Sequence, residues 1–174
     1  MMSIRRRALQ LFALVTLFSA LASPSFTQAA RGPSTADERA RVVKLADESR
    51  KDPLAVQAAN AAWFEQWLSD VPDFMFKPQA VAKWCMRAAK GDMKQIIQFQ
   101  FGVGALSHQI KHNMPDPTKP ADISAVNLAA LDGVLAAYQA LLAKDPANRS
   151  PRMDQAVIRR DKGELALFAR EIGE

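Results

Sequence analysis

The chain contains two histidines, His108 and His112, both within the stretch SHQIKHNMPDP. On a helix, side chains four residues apart project from one face, so their ring nitrogens can converge on a single ion. Zinc fills four positions and needs at least a third protein ligand. Asp116, or a carboxylate from another helix, would have to supply it. The pattern is not that of a zinc hydrolase: an HExxH motif places glutamate after the first histidine, where this chain has Gln109. A structural role competes with the metal. His112 falls in the last turn before Asn113 and Pro115, where partial positive charge meets the negative end of the helix dipole, worth about 0.3–1 kcal/mol. The sequence favours the structural role and no cofactor, with zinc or copper held by His108 and His112 as the alternative.

Cys85 is the one thiol. A histidine could serve as its base, but Val81, Trp84 and Ala88 put it on the apolar side of a short helix, where cysteine packs as a small hydrophobe. Covalent haem is excluded because CxxCH is absent, and no GxSxG, phosphate loop or dinucleotide fingerprint occurs. The chain therefore reads as a binding protein rather than an enzyme.

Trp63, Phe64, Trp67, Phe74, Phe76 and Trp84 fall close together. At helical spacing the tryptophans read as core. Phe74, Met75 and Phe76 lie between Pro72 and Pro78 and need not be helical. Exposed, they would form an adaptable apolar surface for a protein partner or an apolar ligand.

These residues hang on helices. Thr35 with Glu38 forms a capping box for a helix to about Ser49. Asp52 caps a second, with Pro53 at its first position and Val56, Asn60, Trp63, Phe64, Trp67 and Leu68 on one face. A short third helix stops at Gly91, and Asp92 is expected to cap the fourth. That fourth helix carries two apolar bands, Ile96, Phe99, Val103, Leu106 and Ile110 on one side and Met93, Ile97, Phe101, Gly104, Ala105, His108 and His112 on the other. Two bands predict neighbours on two sides. The fifth helix, from about Asp122 to Lys144, sets a large-residue face against a face of alanines and Gly133. Ser150 and Pro151 start a sixth, Gly163 ends it, and ELALFAREI makes a short seventh. No strand alternation or hairpin turn appears. The expected fold is all-α, a compact bundle of about six or seven helices.

VLAAYQALLAKDPAN is similar to the second helix of a tetratricopeptide repeat, but the first-helix signature and a second copy are absent. A repeat-like scaffold is the weaker alternative. The longer segment LDGVLAAYQALLAKDPANRSPRMDQAVIRRDKGELALF resembles the C-terminal part of exported bacterial helical proteins with no assigned activity. That resemblance implies export and a helical fold and transfers no functional residue.

Export is also expected from the N-terminus. Arg5, Arg6 and Arg7 precede an apolar run from Ala8 to about Ala22, followed by small residues, the layout of a secretory signal. The run falls short of the ~20 residues that span a bilayer, so no stable membrane span is expected after cleavage. Cleavage at Ala22 fits a small-x-small pattern, while Ala29 or Ala30 is favoured by Pro24 upstream. Residues 1–29 are thus expected to be a signal peptide and 30–174 a single domain in the periplasm or outside the cell. Of 23 basic and 18 acidic residues, removal of the three arginines leaves 20 against 18, a net +2. The remaining basic residues are laced with acids and form no stripe, which argues against a nucleic-acid partner.

Overall fold

A computed structural model describes residues 31–75 and 80–173. The expected signal segment with its cleavage positions, and Phe76, lie outside the described residues. Among the described residues there are seven α-helices and no strand: α1 (Ala36–Ser49), α2 (Pro53–Asp70), α3 (Ala80–Ala88), α4 (Met93–Lys111), α5 (Pro120–Lys144), α6 (Pro151–Asp161) and α7 (Leu165–Glu171). A short 3-10 turn, Pro146–Asn148, joins α5 to α6. The all-α bundle read from the sequence is what the chain forms.

Local chemistry sets most of the helix ends. Thr35 and Glu38 make the complete capping box, each side chain bonded to the other's amide. Asp52 accepts from the Ala55 amide, and Ser150 from the Met153 amide. Asp92 does not cap α4. Its backbone is already helical, and the Met93, Lys94 and Gln95 amides donate to the carbonyls of Lys90, Gly91 and Asp92, so the turn itself takes up donors a cap would serve. Likewise α5 begins at Pro120, two residues before the expected Asp122, because proline is pre-set for the first helical turn.

The core is two clusters that share α4. Its Phe99, Val103 and Leu106 pack with Val42, Leu45, Phe64 and Trp67 of α1 and α2. Its Met93, Ile97, Phe101 and Ala105, joined by Ile96, pack with α3, α5, α6 and α7. The two-banded pattern of α4 thus corresponds to two sets of neighbours. Its largest interface is with α5. At the crossing a Cβ on Gly104 would stand 3.2 Å from the Ala130 Cα, so the absence of a side chain sets how close the helices come. Leu131, Val134, Leu135, Tyr138 and Leu141 of α5 are buried. α5 is long and apolar enough to cross a membrane by length and composition, and half of its apolar stretch is buried in the protein. It touches α2, α3, α4, α6 and α7, a shared centre rather than one member of a stacked pair.

Candidate functional site

The histidines occupy the last turn of α4. That helix ends with Asn113 at φ 51°, the Met114 amide donating to Gln109 O at 2.8 Å and the Asn113 amide to Ile110 O. This is a left-handed closure of the Schellman type, with asparagine where glycine is commonest. The His108 and His112 rings lie against each other, centroids 4.3 Å apart and planes inclined by 35°. His112 is exposed and His108 half-buried. The Nε2 atom of His108 is enclosed and has no hydrogen-bond partner. Burial lowers the His108 pKa from its ordinary value, and the nearby charges of His112 and Lys111 lower it further. Lys111, between the two, pairs with Asp47 of α1 at 3.7 Å. Among the described residues no group of three His, Cys, Asp or Glu side chains gathers around a point that could hold a metal.

The aromatic group divides. Trp67 and Phe64 are buried, Trp63 stacks on Trp67 with centroids 6.0 Å apart, and the Arg41 guanidinium covers the Trp63 ring at 3.8 Å. Trp84 belongs to the other cluster, edge-on to Phe168 at 5.2 Å. Phe74 is half-buried and leans on Trp67, centroids 6.5 Å apart, so it is partly a core residue. Met75 is 45% exposed, and its amide donates to Pro115 O at 3.0 Å, tying this loop to the α4–α5 connection.

Cys85 is fully enclosed, and burial pushes its thiol up to about 12. At neutral pH it is a thiol, not the thiolate that nucleophilic chemistry requires. Tyr138, also buried, donates its hydroxyl to Asp154 at 2.6 Å and accepts the Ser150 amide at 3.0 Å, while Ser150 Oγ donates to Ala88 O at 2.7 Å. This network ties α3, α5 and α6 together and leaves no reactive group free within it.

Two concavities among the described residues could hold a ligand. One, of about 530 Å³, is bounded by the start of α3, the first half of α5 and α7, with Val81, Ile123, Leu128 and Ala169 as its apolar walls and Ser124 and Arg170 as polar groups. The other, of about 110 Å³, is polar and lies among α1, α4 and α5, reached by Asp47, Arg50, Gln100, Ser107, His108 and Lys111. Sequence reasoning identified neither, apart from His108. The larger is assembled from segments far apart in the chain. The smaller did leave one trace: the helical neighbours of Gln100 at three and four residues, Ile96, Ile97, Val103 and Gly104, come from both bands, so this polar side chain lies in the narrow arc between them and is turned inward.

Compared with protein-family models, curated proteins and solved structures, the chain matches none of them.

Proposed function

We propose that this is an exported, non-enzymatic binding module whose ligand lies in the groove between α3, α5 and α7. The observation that carries the reading is the groove's size and lining. Its volume of about 530 Å³ falls in the range of small-molecule sites, roughly 300–1,000 Å³, which are typically apolar with a few polar groups that fix orientation. Val81, Ile123, Leu128 and Ala169 suit an apolar body, and exposed Arg170 suits an acidic end group. The ligand class is therefore a small amphiphile with one acidic group. Met75 and Phe74, the apolar surface expected from the sequence, lie in the loop that leads toward α3. Export rests on the arginines and apolar run of residues 5–22 and on the resemblance of the C-terminal segment.

Titration with dodecanoate, displacing an environment-sensitive dye, tests the groove. Saturable displacement is expected, and Ala169→Trp, which fills the groove, should abolish it. Arg170→Ala should weaken dodecanoate by about tenfold, the scale of one charge-assisted bond, and leave dodecanol unchanged. Absence of saturable binding, or equal binding by Ala169→Trp, defeats the reading.

A second reading, zinc or copper at His108 and His112, draws on the 4.3 Å separation of the two rings. Two imidazoles fill only half of a tetrahedral shell, so such a site would be open and weak. Zinc titration of the protein beside the double variant His108→Ala/His112→Ala decides it: stoichiometric binding lost in the variant supports a metal, and equal behaviour removes it.

A further inference from the structure

The smaller cavity shares no lining residue with the groove. Gly104, Ala129 and Gly133 line it without bulk, and Gln100 enters it from α4 with 1% of its surface exposed. The Ser49 hydroxyl donates to Gln100 Oε1, which leaves the amide nitrogen on the side facing Gly133. A Cβ on Gly133 would stand 2.7 Å from Gln100 Nε2 and 3.8 Å from Arg50 Nη1. The Gln100 amide nitrogen therefore takes the place a Gly133 side chain would fill, and Arg50 Nη1 approaches the same glycine. Gln100 Nε2 is buried without a partner, as is Nε2 of His108 on another wall. The amide N–H is a donor, destabilising until something accepts from it, whereas the imidazole nitrogen donates or accepts according to its tautomer. The chemistry the cavity lacks is an acceptor.

Charge restricts the acceptor further. Arg50 Nη2 holds Asp132 at 2.6 Å and Lys111 holds Asp47 at 3.7 Å, so each cation at the rim is already matched by a carboxylate. With the rim charges balanced, each negative charge on a ligand is costly, so a dianion is disfavoured more than a monoanion, whose two oxygens match the Gln100 amide and the second arm of the Arg50 guanidinium fork. We infer that this cavity is a binding site for a small monocarboxylate, whose oxygens accept from Gln100 Nε2 and Arg50 Nη1 above the Gly133 backbone.

The test is an NMR titration of the purified protein with sodium acetate, ionic strength held constant with chloride, following the Gln100 side-chain amide and the Gly133 backbone amide. A saturable shift of both signals is expected. In Gln100→Leu and in Arg50→Met, each checked for an unchanged helical spectrum, the Gly133 response should weaken at least about tenfold, the loss of one hydrogen bond to a charged group. Arg50 is partly exposed, so its variant keeps the test intact if Gln100→Leu fails to fold. Inorganic phosphate at the same ionic strength and about pH 8.5, where it is a dianion, should act at least about tenfold more weakly, since two charges must then be accommodated. A shift that never saturates, equal affinity in the folded variants, or phosphate binding as well as acetate each overturns the assignment.

Discussion

At the scale of single residues, His108 and Cys85 are both perturbed by burial, with opposite consequences. Burial, and then His112 and Lys111, lower the pKa of His108, so below its ordinary value of 6.5 the unfolded chain takes up a proton that the folded chain still refuses. Stability then rises with pH through that window and is lost as pH falls from about 6.5 toward the lowered folded value. The charged groups around this ring are Lys111 and His112 on α4 and Asp47 and Arg50 on α1. His108→Gln should flatten the dependence of the urea midpoint between about pH 7 and about pH 5.5. A slope that persists in the variant assigns the effect to another group. Glu38 acts lower on the scale. The Thr35 amide holds its carboxylate below the usual 4.5, so the stability it contributes is lost only as pH falls beneath that value. For Cys85, whose thiol sits at about 12, iodoacetamide at about pH 7.5 should leave the native protein unmodified while the urea-unfolded chain reacts readily. Rapid modification of the native form would mean that α3 opens easily.

At the scale of elements, two glycines in α4 do different jobs. A Cβ on Gly102 would meet the edge of the Phe64 ring at 3.0 Å, while one on Gly104 would meet the Ala130 backbone, at 3.2 Å from its Cα and 3.7 Å from its oxygen. A ring can shift but a helix backbone cannot, so Gly104→Val should cost about 1–3 kcal/mol by overpacking. Gly102→Ala should cost less, with urea denaturation measuring both. The same helix marks what could be read from letters alone. Its two apolar bands were legible because 3.6-residue periodicity is local. The cap at Thr35 was legible because a capping box is complete within four residues. Asp92 carries the same kind of signal and does not cap, because the carbonyls of the turn before it had already met the amides. The interior position of Gln100 follows from its neighbours one turn away, Ile96, Ile97, Val103 and Gly104, but its partners do not, since Ser49, Arg50 and Gly133 come from other helices. The groove was illegible for that reason as well: Val81, Ile123 and Ala169 become neighbours only once α3, α5 and α7 pack.

At the scale of the whole domain, the two clusters are joined through α4, which gives residues to both. Neither can lose its packing without exposing one side of the helix that the other depends on. Unfolding should therefore be a single cooperative event, with no state in which α1 and α2 have melted and the rest persists. Trp63 and Trp67 lie in the cluster of α1 and α2, whereas Trp84 packs on the other. In Trp84→Phe, fluorescence then reports only the first cluster, while far-ultraviolet circular dichroism reports every helix. The two urea transitions should coincide in that variant. Leu135→Ala, wholly within the second cluster, should remove about 2–5 kcal/mol and move the fluorescence midpoint as far as the dichroism midpoint. A fluorescence transition that stays in place while the dichroism shifts would show that α4 separates the clusters rather than coupling them. The polar cavity, which draws its walls from α1, α4 and α5, would then lie on a boundary that opens on its own.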